Sequence, residues 1–339
     1  MKRFGIWVLI LVLTAVLSAC GGKDGAGSAV SQSPAAATES APASGSPSGE
    51  ASPSSAVKRT AYPLTVKDAS GAEFKFEKAP ERIVSTSSSE TEILFALGLG
   101  DRIVGVSDYD NYPEAAKSKP KMGGVTEPNA EAILAAQADL VVSGISIKET
   151  ALEGLRKLGL NVFRTNPKKV DDVLNNILLF GQINDKQAEA EALVAKMKDD
   201  IRKVTEAAAT VKPEDKKKVY IEFSPGWTVG KGEFMDELIT LAGGVNIASD
   251  MEGWNAINEE KVIADNPDVI FYTLNITDQA SGKKLEDLIR SRAGWDKIKA
   301  IADNRMVGLD GDILSRPGPR ITEALLQISN GIYPGLVKR

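Results

Sequence analysis

Two segments of the chain repeat at a constant spacing of 129 residues. Asn129 matches Asn258, Glu131 matches Glu260, Ala135 matches Ala264 and Asp139 matches Asp268. Apolar positions coincide at Ile133/Val262, Leu134/Ile263, Leu140/Val269 and Val141/Ile270. Each copy reads as a short helix capped by asparagine and leading into a strand. A unit used once in each half points to a pseudo-symmetric protein with two α/β lobes.

The rest of the body fits that frame. Leu64–Val66 and Phe74–Phe76 alternate on either side of a Gly71 turn and read as a hairpin. Arg82–Ser85, Ile103–Val106, Asp139–Val142 and Asn161–Phe163 read as buried strands separated by helical segments. This βαβ rhythm implies a mainly parallel sheet covered by helices. Ser87–Glu92 offers two overlapping Ser-x-x-Glu capping boxes for a helix ending near Gly98. A long helix is expected from an Asn184 cap to about Val211, with Leu193, Val194, Met197, Ile201 and Val204 as its apolar stripe. At ~1.5 Å per residue its roughly 26 residues span about 39 Å, the length of a strut between lobes. An ordinary amphipathic surface helix has the same periodicity. Beyond Pro213 the rhythm restarts, with strands at Lys218–Phe223, Val269–Tyr272 and Met306–Leu309 and helices at Phe234–Leu241 and Ile321–Ile328.

The first sixty residues read as an address and a tether. Met1-Lys2-Arg3 precedes an apolar run, Phe4–Leu17, of signal-peptide length. The run is too short for a spanning helix. Leu17-Ser18-Ala19-Cys20 resembles the lipobox of bacterial lipoproteins, in which Cys20 is diacylated and becomes the new N-terminus. A buried free cysteine behind an ordinary signal peptide is the alternative. Residues 21–57 hold 29 Gly, Ala, Ser or Pro among 37, too little apolar surface to offset the entropy of ordering. The expected organisation is a signal peptide (1–19), lipidated Cys20 with its linker (20–60), an N-terminal lobe (61–184), a connecting helix (185–211) and a C-terminal lobe (212–339).

Composition narrows the chemistry. The chain has 339 residues, no histidine and one cysteine. A Ser-His-Asp triad, a Cys-His dyad, a His-ligated metal and an internal disulfide are therefore excluded. Net charge is −5, with 41 Lys+Arg against 46 Asp+Glu, which gives no general drive toward nucleic acid. No Gly-x-Ser-x-Gly elbow is present, so a serine hydrolase is disfavoured.

From about Tyr62 onward the chain resembles the iron-siderophore and cobalamin branch of bacterial substrate-binding proteins, which serve ABC importers. Several segments carry the likeness: Arg82–Ser85 with Thr91–Leu94 and Ala96–Gly98; Gly123-Gly124 with Glu127-Pro128-Asn129 and Glu131; Gly230–Gly232 through Leu241–Gly244, Asn246 and Ile247; and Ser315–Arg320 before the last helix. The resemblance implies two Rossmann-like lobes joined by one long α-helix, the class III binding-protein architecture, with ligand held between the lobes. It implies that Glu131 and Glu260 dock on arginines of a permease dimer, one per half. The bland reading of each is a carboxylate favoured by its helix dipole, worth ~0.3–1 kcal/mol. Zinc and manganese binders of the wider group use His ligands, and its haem binders often use an axial His. Neither is available here, though a Met or Tyr ligand stays open.

In such a protein the cleft is lined by loops after strand C-termini. The candidate loops are Thr86–Ser89, Ser107–Tyr112, Ser143–Ser146, Ser224–Gly230, Glu252–Asn255 and Asp310–Arg320. They place Tyr109, Tyr112, Trp227, Trp254, Arg316 and Arg320 as candidate ligand-binding residues. The aromatics would stack on a planar or greasy chelate, and Arg316 would pair with an anionic one. Structural alternatives are a loop pinned by Trp254, a turn packed by Tyr112, and an ion pair at Arg320. No catalytic residue, resident metal or cofactor is expected.

The function expected is capture of a ferric siderophore or cobalamin by a monomeric lipoprotein, anchored outside the cell membrane of a monoderm bacterium, for delivery to an ABC permease and its ATPase. The alternatives are a sensor or adhesion lipoprotein on the same fold, and a carboxylate-based glycoside hydrolase. Nothing in the cleft loops selects among siderophores and corrinoids.

Overall fold

The computed structural model describes residues 58–337. The expected signal peptide, Cys20 and nearly all of the linker lie outside the described residues. The first lobe runs β1 (Leu64–Lys67), β2 (Glu73–Phe76), β3 (Ile83–Ser85), α1 (Ser88–Ala96), β4 (Ile103–Val106), α2 (Glu114–Lys117), α3 (Ala130–Ala135), β5 (Leu140–Ser143), α4 (Glu149–Lys157) and β6 (Val162–Arg164). Helices α5 (Val170–Ile183) and α6 (Gln187–Ala208) follow. The second lobe runs β7 (Lys218–Glu222), β8 (Trp227–Val229), α7 (Phe234–Leu241), β9 (Val245–Asn246), β10 (Trp254–Ala256), α8 (Glu259–Asp265), β11 (Val269–Thr273), α9 (Leu285–Arg290), α10 (Lys299–Ala302), β12 (Met306–Leu309), α11 (Gly311–Ser315) and α12 (Ile321–Ile332).

Each lobe carries a parallel four-stranded sheet, ordered β4-β3-β5-β6 in the first and β12-β11-β7-β9 in the second. Their strands are short and mostly apolar, as expected where both faces are covered. This is the two-lobed class III architecture. The β1–β2 hairpin pairs Leu64 with Phe76. Asp68 closes its turn, accepting from Ser70 N at 2.9 Å and Ala72 N at 3.0 Å, while its other oxygen accepts from Arg164 N at the end of β6 and pairs with Arg156.

The sequence repeat is a registration device. Asn129 Oδ1 accepts from Ala132 N at 3.1 Å, and Asn258 Oδ1 accepts from Lys261 N at 3.0 Å, so both short helices start on the same cap. Both end beside a left-handed residue, Gln137 (φ 49°) and Asn266 (φ 48°). Asp139 then accepts from Glu81 N and Arg82 N, and Asp268 from Lys218 N, each tying the repeat strand to the first sheet strand of its own lobe. The resulting registers are Ile83↔Leu140 in the first sheet and Val219↔Val269 in the second.

Three local expectations are corrected. The long helix begins at Gln187, not at an Asn184 cap, and ends at Ala208. Asn184 instead closes the preceding helix α5, its side-chain amide donating to Phe180 O at 2.9 Å. At ~1.5 Å per residue the 22 residues of α6 span about 33 Å. Helix α5 itself was not expected, although Val170, Val173, Leu174, Ile177 and Phe180 form a clear apolar stripe and are buried. Finally, neither Ser-x-x-Glu capping box forms: Ser87 caps α1 without a side-chain bond while Glu90 accepts from the Thr165 hydroxyl, and Ser89 lies inside the helix while Glu92 pairs with Arg316 and Arg320.

One apolar core runs from sheet to sheet. Ile83, Leu140 and Phe163 of the first sheet join Phe180, Ile183, Val194, Met197 and Val204 of α5 and α6, then Leu238, Ile321 and Leu325 of α7 and α12, and finally Val219, Ile221 and Phe271 of the second sheet. Helix α6 packs against α5, α7 and α12.

Candidate functional site

The segments that follow the strand C-termini in each lobe carry the candidate residues. In the second lobe, β8 and β10 form a two-stranded antiparallel ribbon that pairs Ala256 with Trp227 and Trp254 with Val229. Trp227 and Trp254, expected in loops, are therefore strand residues with fixed backbones. Three-residue strands beside Pro225 and Gly226 are too short to announce themselves by alternation. The ribbon, Phe223, Ser224, Met235 and Ser315 enclose an open recess of about 410 Å³. Trp254 meets Phe223 at 4.9 Å and Phe234 at 6.0 Å, both edge-on, so its ring is locked. Trp227 is 46% exposed and leaves a face open.

Beside Ser315 the chain enters an ion-pair knot. Arg316 and Arg320 both close on Glu92 of α1, whose side chain is 2% exposed. Arg320 donates from Nε to Oε2 at 2.8 Å and from Nη2 to Oε1 at 2.6 Å, and its guanidinium lies 4.1 Å from the Tyr112 ring centre. Its hydrogen bonds to Glu92 raise its pKa further, so it stays charged. Arg316 donates to Glu92, Asn111 Oδ1, Tyr109 O and Asp312. Gly318 permits this approach: a Cβ there would stand 3.2 Å from Ser89 O. Tyr109, Tyr112, Arg316 and Arg320 thus gather around one carboxylate, and Trp227 and Trp254 around the recess, with Ser315–Arg316 bordering both groups. Arg316 spends four hydrogen bonds on protein partners. Glu92 is the residue that sequence reasoning missed. Its signal was a carboxylate on a helix whose neighbours Ile93 and Leu94 are core residues.

Two more acids are buried at the end of the first sheet. Glu90 is 1% exposed. Its burial raises its pKa against the opposing pull of hydrogen bonds from Ser87 and Thr165, and nearby Asp110 adds to the rise. Asp110 is likewise raised by burial, while Ser107 N donates to it at 2.6 Å.

On the second lobe, Glu222 at the end of β7 is fully buried and gripped by Arg292 from Nη1 at 2.6 Å and Nη2 at 2.7 Å. Glu222 Oε1 also accepts from Gly226 N at 2.9 Å, which fixes the turn before Trp227. Arg292 stacks 4.6 Å from the Trp295 ring and reaches Glu259, at the start of α8, at 3.2 Å. Glu131 on α3 and Glu260 on α8 are both exposed.

A family model described as periplasmic binding protein matches residues 83–313. The chain is 31% identical over 344 residues to an uncharacterized ABC transporter substrate-binding lipoprotein, YvrC, of Bacillus subtilis, covering 99% of both chains. It is 27% identical over 305 residues to a cobalamin-binding protein of Halobacterium salinarum, covering 88% of this chain and 82% of the relative. Among solved structures, a possible iron-binding periplasmic solute-binding protein of Staphylococcus epidermidis superposes with a TM-score of 0.63 at 32% identity, covering 76% of this chain and 100% of that one.

Proposed function

The chain belongs to the periplasmic binding protein family, and from that premise we propose that it captures a metal chelate, a ferric siderophore or a corrinoid, and delivers it to an ABC permease. Relatives of this family are substrate-binding proteins of ABC transporters, and the family is one of binding proteins. The chelate class is supported by the cobalamin-binding and possible iron-binding relatives. The observation that carries the reading is the aromatic recess. Trp227, held by the Glu222 turn and left open on one face, offers a stacking surface beside Trp254 and Phe223. Tyr109 and Tyr112 of the other lobe, 63% and 46% exposed, supply the second aromatic surface of this reading. Arg316 and Arg320 then act by holding the two lobes to Glu92, next to Ser315 of the recess.

The lobes are taken as residues 61–184 and 212–339, with 185–211 between them. The protein acts outside the membrane as a monomer anchored by acylated Cys20, with the small-residue linker as its leash. Glu131 and Glu260 dock on the permease, which works with its ATPase. The test is titration of the purified protein with cyanocobalamin, a ferric hydroxamate and a ferric catecholate, followed by calorimetry and tryptophan quenching. Saturable binding of one of them is expected. Silence across all three classes overturns the chelate assignment.

A further inference from the structure

We infer that each docking carboxylate works together with the aliphatic side chain one helical turn further on, Leu134 with Glu131 and Ile263 with Glu260, as twin acidic-apolar seats for the two-fold symmetric outer face of a permease dimer. This rests on the docking role proposed above for the two carboxylates, and adds residues and a chemistry to it.

The observation is a duplicated pattern of exposure. Leu134 is 43% exposed and Ile263 is 39% exposed, although both are apolar positions of the repeat. The residue before each, Ile133 and Val262, is buried and already fills the core contact of its helix. The residue after each, Ala135 and Ala264, is exposed. A single exposed leucine on a surface needs no explanation. Equal exposure of an aliphatic side chain at the same place in both copies, three residues after an exposed glutamate, is a shared surface. Residues at i and i+3 lie on one helix face about 5–6 Å apart, so each seat presents a carboxylate and an aliphatic group side by side, with a small alanine next to them.

The chemistry of the occupant follows. A carboxylate beside an aliphatic group fits a guanidinium set next to an apolar socket. Closing the socket removes water from the ion pair and strengthens it, as the ring of contacts around an interface hot spot does. Two such seats, made from the two halves of one chain, match a partner whose own two halves are identical.

The test uses the full chain and its native permease–ATPase complex in nanodiscs, with affinity measured at low and moderate salt. Leu134→Ser with Ile263→Ser is expected to weaken docking by about tenfold or more and to steepen its salt dependence. Leu158→Ser, which removes an aliphatic group 53% exposed outside the repeat, is expected to leave docking unchanged. Native affinity in the Leu134/Ile263 variant overturns the inference. If Glu131→Gln with Glu260→Gln weakens docking at the same time, the carboxylate reading stands alone; if neither pair matters, both readings fall. Sedimentation of the isolated protein covers the remaining occupant: a self-association lost in the Leu134/Ile263 variant, with docking intact, assigns the seats to a second copy and overturns the permease assignment.

Discussion

Arg320 and Glu92, 228 residues apart in sequence, meet as a two-point fork with both contacts under 3 Å. Arg316 adds a third donor to the same carboxylate. Glu92→Gln leaves two largely buried guanidiniums short of their counter-charge. It is expected to cost about 3 kcal/mol of stability, as for other broken buried pairs, read from urea unfolding. A loss under about 1 kcal/mol would mean that water replaces Glu92 freely.

The Glu222–Arg292 pair has a second duty, because Glu222 also fixes the turn before Trp227. Arg292→Ala is expected to cost about 3–5 kcal/mol and to weaken ligand binding as the turn loosens. The more exposed neighbour Arg290, paired with Glu286 in an i,i+4 bridge, is the control; Arg290→Ala is expected to cost at most about 0.5 kcal/mol. Equal effects in the two variants would refute the special role of Glu222.

The two recess tryptophans separate packing from recognition. Trp254 is clamped between Phe223 and Phe234, so Trp254→Ala is expected to destabilise the fold by about 3 kcal/mol. Trp227 has an open face, so Trp227→Ala is expected to change stability by less than about 1 kcal/mol and to weaken chelate binding by about tenfold. Calorimetry of both variants checks this. Unchanged chelate affinity in Trp227→Ala removes the recess as the stacking site.

Glu90 makes stability depend on pH in a defined direction. Burial raises its pKa in the folded protein above its unfolded value, so between the two values the folded state holds more protons. The contribution of Glu90 to stability is therefore most favourable below the ordinary carboxylate range and falls as pH rises from there through the folded pKa. Asp110 contributes in the same sense. Glu90→Gln is expected to flatten part of that fall and to raise stability near neutral pH, provided Thr165 keeps its acceptor. Unfolding curves followed upward in pH from the ordinary carboxylate range check the sign; an unchanged slope refutes it.

Glu131→Ala with Glu260→Ala is expected to abolish ligand uptake in cells while the purified variant binds chelate as the native protein does. Both residues stand outside the recess and the ion-pair knot. Normal uptake by the double variant would refute the docking assignment.

Much of the fold is legible because its strands are short apolar runs bounded by caps and glycines. The repeat is the clearest case: Asn129/Asn258 and Asp139/Asp268 can be read as cap and strand lead before any coordinate is known, and the hydrogen bonds follow. The placement of Asn184 is not legible, since an asparagine between two helices can close one or open the other, and tertiary packing decides. The site is only half legible. Aromatic residues near strand ends can be picked out, but the ribbon that holds Trp227 and Trp254 depends on pairing across 27 residues. Glu92 is hidden because its partners lie more than two hundred residues away. No local pattern encodes a carboxylate waiting for two arginines. Leu134 and Ile263 carry the opposite lesson: apolar coincidence in a repeat marks a shared environment, which here is water.

The apolar core that passes from the first sheet through α5, α6, α7 and α12 to the second has a consequence for selectivity. Wide opening would tear that core, so the two lobes keep a nearly fixed separation. On the proposed reading, a chelate that fits the lobes as they stand would give up little affinity to rearrangement. One that needs the lobes further apart would, on the proposed reading, be turned away by dimension before any charge or hydrogen bond is consulted.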